Sequence, residues 1–230
     1  MVVPGAAEES CLVRNEWVCG EYLRTRAPDL TEALLQHVVI TVVSVLLGLA
    51  LAFPLALLAR RYRRLEGVVV GVTTAIYTIP SLALFALLLP FAGLSRTTVI
   101  IGLALYSLTI LVRNVIEGLK AVPPEVRESA LGMGYGRPRM LLAVELPLAL
   151  PTIMAGLRVA AVSTVALTTV GAIVGYGGLG NLLLSAVDSQ FQAQVLTAGV
   201  LCVALAVTFD LVLVLTQRML TPWTRSAGRS

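Results

Sequence analysis

The chain has 230 residues, of which 57% are hydrophobic and 13% are charged, with a formal net charge of +4, and its mean hydropathy is +0.90. Soluble domains usually carry about 25% charged residues, so this composition excludes an ordinary soluble domain and indicates a membrane protein. The positive balance does not indicate nucleic-acid binding, because the basic residues cluster beside the apolar runs, as membrane topology requires.

The first 36 residues form a polar head with six acidic and three basic side chains. A secretory signal peptide would begin with a basic region and have a shorter apolar core, so we expect residues 1–36 to remain as an extracytoplasmic head. Cys11 and Cys19 lie in it, whereas Cys202 lies in an apolar run. On an oxidising side of the membrane, Cys11 and Cys19 either form a disulfide or stay as free thiols, and the sequence leaves both states open.

Five apolar segments are candidates for membrane spans, since a spanning helix needs about 20 mostly apolar residues. They cover residues of about 37–59, 67–90, 97–116, 148–174 and 194–216. They are too long and too uniformly apolar for the strands of an outer-membrane barrel. The sequence therefore predicts an all-α polytopic membrane protein, with a transmembrane domain over 37–220 and a tail over 221–230.

The distribution of Lys and Arg predicts the orientation, because connections rich in these residues face the cytoplasm. The basic connections are the one after the first span, the loop 117–147 and the C-terminal tail. The connection after the second span has only Arg96, and the one after the fourth span has no basic residue. We therefore expect the N-terminus outside and the C-terminus in the cytoplasm.

The cytoplasmic loop 117–147 reads EGLKAVPPEVRESALGMGYGRPRMLLAVELP. Pro123 and Pro124 suit the start of a helix, because the missing N–H of proline costs nothing in the first turn, and Gly134 suits its end in a left-handed turn. At helical spacing between them lies a narrow apolar stripe, formed by Val126, Ala130 and Met133. A second short helix is predicted to open at Pro138 and to stop near Pro147.

This loop resembles the motif that permeases of bacterial ABC importers carry, namely E-A-A, three residues, Gly, nine residues, Ile, one residue and Leu-Pro. The matching positions here are Glu128, Ser129, Ala130, Gly134, Val144, Leu146 and Pro147. Ser replaces the second residue of the motif and Val replaces its Ile, and all spacings are kept. In that family the helix is the coupling helix, which docks on the ATP-hydrolysing subunit, and the resemblance implies this role for the motif here.

Four further stretches look like the osmoprotectant branch of that family, which serves glycine betaine, choline and carnitine. They cover 77–90, 111–125, 146–162 and 175–180. The resemblance implies a type I importer core of five helices, similar to the methionine-importer permease. It also implies separate ATPase subunits, an extracytoplasmic binding protein and a second permease copy or paralogue. The alternative is a permease for another small solute, such as an amino acid or a methionine-like compound.

The chain has no G-x-x-x-x-G-K-[ST] motif, so we expect ATP and Mg on the partner ATPase and neither a cofactor nor a catalytic residue here. His37 is its only histidine, and the chain has no CxxC pair, which argues against a metal site.

A secondary transporter would need ion-coupling acids at the midplane, and a membrane enzyme would need a polar cluster at one depth. Composition alone leaves a channel subunit open. Five spans are too few to enclose a pathway, so we expect a dimer.

Polar and helix-breaking positions lie within the predicted spans. Arg158 and Asp210 lie at comparable depths from the cytoplasmic side, so we predict that they pair or share a polar network. The alternative is that Arg158 reaches the interface and Asp210 lies among the headgroups.

Pro80 breaks the helix of the second span, and this break either lies near the pathway or is a tolerated kink. Aromatic residues are few, and those in the spans are scattered, namely Tyr77, Phe85, Phe91 and Tyr106. We therefore expect selectivity to reside mainly in the binding protein.

The stretch VGYGGLGN contains Gly175, Gly177 and Gly180 in the spacing of a dinucleotide-binding turn. Such a turn must follow a strand in a soluble βαβ unit, and here it follows a membrane span. We therefore interpret these glycines, together with Gly178, as a tight turn on the outer face of the membrane. There they are expected to border the external gate or to meet the binding protein.

Overall fold

A computed structural model describes residues 10–225, without the side chains of residues 63, 224 and 225. Residues 1–9 of the predicted head and 226–230 of the predicted tail lie outside the described residues. The α-helices are α1 (Gly20–Thr25), α2 (Ala27–Arg61), α3 (Arg63–Thr78), α4 (Ser81–Ala92), α5 (Arg96–Lys120), α6 (Pro124–Gly132), α7 (Arg137–Met140), α8 (Leu146–Thr168), α9 (Leu179–Asp188) and α10 (Gln192–Leu220). A π-turn covers Leu141–Glu145, and 3-10 turns cover Thr169–Val174 and Pro222–Arg225.

Within the described residues, four helical stretches are long and apolar enough to cross a membrane. They are Ala27–Arg61, Arg96–Lys120, Arg137–Val174 and Gln192–Leu220. The pair formed by α3 and α4 passes the same test only as a whole, and its two helices are bent by 99° from each other. Counting this bent pair as one span gives the predicted five, and the all-α polytopic class is confirmed.

The first long helix, α2, begins at Ala27 rather than near residue 37. Pro28 stands in its first turn, where the missing N–H costs nothing. Asp29 lies near the positive end of the helix dipole, and its Oδ2 is 3.1 Å from Nη1 of Arg26. The predicted head boundary at residue 36 therefore falls inside α2, because polar residues that hydropathy assigns to the head form the first turns of the helix.

The second predicted span is broken at Pro80, which separates α3 from α4. Proline disfavours helical backbone in the residue before it, and Ile79 is extended, with φ −66° and ψ 127°. The hydroxyl of Tyr106 on α5 donates a hydrogen bond to the carbonyl oxygen of Ile79. The backbone freed by the break thus finds a partner inside the protein, as an interrupted membrane helix requires.

The predicted end of the second loop helix near Pro147 is wrong. The helical path runs on from Arg137 through the π-turn into α8 and reaches Val174 as one long apolar stretch. Pro147 lies in the first turn of α8. The π-turn directly before it shifts the hydrogen-bond pattern away from the α-helical one, so a residue without an N–H is accommodated there.

The helix α5 forms the centre of the bundle. Its most apolar stretch is 67% buried, whereas that of α10 is only 11% buried. One core cluster joins α5 to α2 and α8, and the α2 side of this cluster consists of Ala52, Ala56 and Ala59. Such small residues let membrane helices approach closely. The helix α10 lies at the edge of the bundle and keeps most of its apolar surface outward.

The N-terminal segment folds onto the end of the bundle opposite α6. Cys11 and Cys19 form a disulfide, which decides between the two states that the sequence left open. Nδ2 of Asn15 donates to the carbonyl oxygen of Gln190 at 2.9 Å, and Oδ1 accepts from the backbone N–H of Gln192 at 2.9 Å. The head therefore holds the junction between α9 and α10.

Candidate functional site

The helix α6 lies where α2 and α5 end and α8 begins. It runs from Pro124 to Gly132, and Gly134, one residue beyond the C-cap Met133, has a left-handed φ of +79°. The backbone N–H of Gly134 donates to the carbonyl of Leu131 at 2.9 Å, and that of Tyr135 donates to the carbonyl of Ala130 at 3.0 Å. These two bonds make a Schellman motif, so both predicted ends of this helix are confirmed.

Most side chains of α6 face away from the bundle. Glu128 and Ser129 are exposed, whereas Ala130 is buried. Two large apolar side chains, Leu131 and Met133, are 60% and 70% exposed. The predicted apolar stripe is therefore divided, since Ala130 faces the bundle and Met133 does not. Exposed apolar side chains amid charged residues are typical of a surface that another protein covers.

A hollow of about 320 Å³ runs beside α6. It is lined by Glu125, Val126, Ser129, Ala130, Met133 and Val144. It brings Ser129 and Ala130 from the start of the motif together with Val144 near its end. The last two motif residues lie elsewhere, because Leu146 packs against the core cluster and Pro147 belongs to the first turn of α8.

Glu145, between Val144 and Leu146 of the motif, is a site residue that the sequence did not predict. Its side chain is 4% exposed and meets two arginines. Arg60 of α2 donates to both carboxylate oxygens, with Nη1 at 2.6 Å from Oε2. Nε of Arg127 on α6 lies 2.9 Å from Oε1, although its N–H does not point at that oxygen. The only signal in the sequence was one acid in the apolar run LLAVELP.

The structure brings Arg158 of α8 and Asp210 of α10 together. Nε donates to Oδ1 at 2.8 Å, and Nη2 donates to Oδ2 at 2.9 Å, which is the two-point geometry that suits a guanidinium and a carboxylate. Both side chains are about one-third exposed and border a cleft of about 630 Å³ between the two helices. This contact links the peripheral α10 to the bundle.

Two aromatic residues that are far apart in the sequence form a pair at the break at Pro80. The rings of Tyr77 and Tyr106 lie edge to face, with centroids 5.6 Å apart. Tyr77 is partly exposed and Tyr106 is buried. Beside them, Oγ1 of Thr109 donates to the carbonyl of Thr73 at 2.6 Å. Polar groups at the break are thus arranged between α3 and α5, where the chain changes direction.

The glycine stretch forms the turn between the 3-10 segment and α9. Gly175 and Gly178 have left-handed φ values of +82° and +56°. Gly180 lies so close to the 3-10 segment that a Cβ there would come within 2.3 Å of the Thr169 carbonyl oxygen. The side chain of Asn181 closes the turn, since its Oδ1 accepts from the Gly177 N–H at 2.9 Å. The turn directly follows the 3-10 segment and not a strand, so it lacks the context of a dinucleotide site.

His37 lies beneath this turn. It is fully buried, and a Cβ on Gly178 would lie 2.7 Å from the His37 Cβ. Its Nε2 is 3.0 Å from the carbonyl oxygen of Val165. Because α2 begins at Ala27, His37 stands well inside the helix. Within the described residues, no group of three potential metal ligands occurs.

Two transport permease proteins are similar to this chain over most of its length. The glycine betaine/carnitine/choline transport system permease protein OpuCD of Bacillus subtilis (strain 168) is 38% identical over 210 residues, which cover 91% of this chain and 92% of the relative. The osmoprotectant import permease protein OsmW of Salmonella typhimurium is 35% identical over 207 residues, with coverages of 87% and 96%.

The fold is also similar to a chain of the MetNI methionine ABC transporter in an inward-facing conformation. The TM-score is 0.75, and the match covers 86% of this chain and 98% of that chain at 22% identity. This chain therefore shares its fold with that chain. The family model described as "Binding-protein-dependent transport system inner membrane component" matches residues 44–226. This chain thus belongs to that family, and it is a multi-pass permease subunit of the bacterial inner membrane.

Proposed function

We propose that this chain forms the translocation pathway of an ATP-driven importer for an osmoprotectant with a quaternary ammonium group, such as glycine betaine, choline or carnitine. The relatives named for transport of these compounds support the substrate class, because they align with this chain almost from end to end. An importer for methionine or another amino acid is the alternative, and it has only the similarity of fold in its support.

The energy for import comes from separate ATPase subunits, which bind ATP and Mg and dock on α6. The observation that carries this part is the exposed surface of α6. The motif typical of importer permeases lies there beside the hollow. Leu131 and Met133 are exposed on this cytoplasmic surface, where a docked partner would cover them. The acidic Glu128 lies on the same exposed face.

The pathway is completed by a second permease, either another copy or a paralogue. The most apolar stretch of α10 is only 11% buried within one chain, so a large helical surface is left for lipid or a second permease. On the opposite end of the bundle, α9 and the disulfide-bonded head form a surface for the extracytoplasmic binding protein. This arrangement places the energy source and the substrate donor on opposite ends.

The experiment is reconstitution of this permease with its ATPase and binding protein in proteoliposomes. Labelled glycine betaine, choline and carnitine are offered outside, with ATP inside, and labelled methionine and histidine serve as the competing class. We expect ATP-dependent uptake of at least one quaternary ammonium compound and no uptake of the amino acids. Uptake that persists without ATP would contradict the importer, and uptake of an amino acid alone would reassign the substrate class.

A further inference from the structure

Three charged side chains join α6 to the membrane helices, and we call Arg60, Arg127 and Glu145 the charge triad. Glu145 stands in the π-turn at the base of α8, Arg60 in the last turn of α2 and Arg127 within α6. Nη2 of Arg127 also donates to the carbonyl oxygen of Leu119 at 2.5 Å, in the last turn of α5. Two guanidinium groups and one carboxylate thus connect the four helices that meet at this end.

The apolar attachment of α6 is weak by comparison. Ala130 is the only residue of α6 that is buried, and an alanine supplies little apolar surface. Arg127 reaches both the carboxylate of Glu145 and the carbonyl of Leu119. Apart from its covalent links to α5 and α7, α6 is therefore attached to the rest of the chain mainly through Arg127.

The triad resists separation because its carboxylate is buried. A carboxylate that is only 4% exposed requires compensating charge, and removal of one partner is strongly unfavourable. The two-point contact from Arg60 fixes the direction of the carboxylate as well as its position. The π-turn interrupts the α-helical hydrogen-bond ladder directly at the triad, so α8 has a point of bending where α6 is attached.

We propose that Glu145 is a positioning residue that transmits a displacement of α6 to the bases of α2 and α8. The proposal rests on the proposed docking of the ATPase on α6. In this scheme the exposed face of α6 makes the contact, and the triad carries the motion into the helices that enclose the pathway. Loss of the triad then separates ATP hydrolysis from import while docking persists.

The test uses the complete transporter in proteoliposomes, with labelled glycine betaine, choline and carnitine as substrates. Glu145→Gln keeps the shape of the side chain and removes its charge, and Arg127→Gln removes only the link to α6. For both variants we expect ATPase binding within about twofold of the parent. We expect the number of substrate molecules imported per ATP hydrolysed to fall about tenfold. If Glu145→Gln does not assemble, Arg127→Gln decides, since it leaves the pair of Arg60 and Glu145 in place.

The matched control is Glu66→Gln. It removes another ion pair at the same end of the bundle, in which Nζ of Lys120 lies 2.5 Å from Glu66 Oε1, without touching α6. Its ratio of import to hydrolysis should equal that of the parent. An unchanged ratio in both triad variants would overturn the proposal. So would a parallel loss of ATPase binding and import at a constant ratio, because that is the result of a purely structural role.

A distance measurement gives a second readout that a structural role would not move. Spin labels replace Leu58 on α2, which is 43% exposed, and Gly132 on α6, whose Cβ position has open space around it. On ATP binding, the distance between the labels should stay constant in the parent and change in Glu145→Gln. Identical distance distributions in the two proteins would overturn the proposal. Failure of the docking itself is a different result, seen when Glu128→Lys binds the ATPase as tightly as the parent.

Discussion

Gly134 ends α6 with a backbone φ of +79°, although nothing lies within 4 Å of the position where a Cβ would stand. Gly134→Ala therefore introduces no steric clash and costs only the left-handed backbone, about 1 kcal/mol. Because the Schellman hydrogen bonds set the last turn of α6, we expect about a fivefold loss of affinity for the ATPase subunit. The measurement is equilibrium binding of the ATPase to the purified permease in nanodiscs.

The control for this change is Gly132→Ala, two residues earlier. Gly132 is helical and also has open space around its Cβ position, and alanine favours a helix over glycine by about 1 kcal/mol. We expect Gly132→Ala to bind the ATPase as tightly as the parent or more tightly. Equal binding by Gly134→Ala and Gly132→Ala would show that the left-handed end of α6 does not matter for docking.

Glu128 is the exposed acid of the motif, and reversal of its charge should disturb a complementary partner surface. We expect Glu128→Lys to weaken ATPase binding about tenfold while the amount of permease in the membrane stays unchanged. Binding in nanodiscs and membrane fractionation measure these two quantities. Glu117→Lys reverses another exposed acid in the last turn of α5, away from α6, and should bind normally. Normal assembly and transport by Glu128→Lys would contradict the docking surface.

At the scale of helices, hydropathy located the apolar stretches and missed the features that capping, proline and hydrogen bonding decide. It placed the first span near residue 37, whereas Pro28 and Asp29 start α2 earlier. The break predicted at Pro80 is present, and it bends the second span by 99°. The loop helix α6 was predictable at both ends, because its proline and glycine signals act locally.

Glu145 illustrates why the candidate site was predicted only in part. The motif spacing identified the exposed residues of α6 and their neighbour Val144, and these depend on local sequence. The contact of Glu145 with Arg60 joins residues 85 positions apart along the chain, so no local pattern could reveal it. The pairing of Arg158 with Asp210 could be predicted from the sequence, because the helical rise per residue places both side chains at comparable depths in the membrane.

The helices α8 and α10 are linked by the pair of Arg158 and Asp210, which makes a charge exchange informative. Arg158→Asp and Asp210→Arg should each lower the thermal stability of the purified permease, since each leaves two like charges facing each other. We expect the double exchange to recover at least half of that loss, because it restores opposite charges at the same contact. The measurement is the melting temperature in detergent. A double variant no more stable than either single variant would contradict a stabilising pair.

For the whole molecule, the proposed orientation puts α6 and α9 on opposite sides of the membrane and gives each a different partner. A cysteine at Leu131 of α6 and one at Val187 of α9 report on the two sides, since these positions are 60% and 64% exposed. A cysteine at Asn181 is unsuitable for this measurement, because the Asn181 side chain closes the glycine turn. In a background with Cys202→Ser, a cross-linker should trap the ATPase from position 131 and the binding protein from position 187. Trapping of the ATPase from position 187 would reverse the proposed orientation, and absence of the binding protein there would contradict the role of α9.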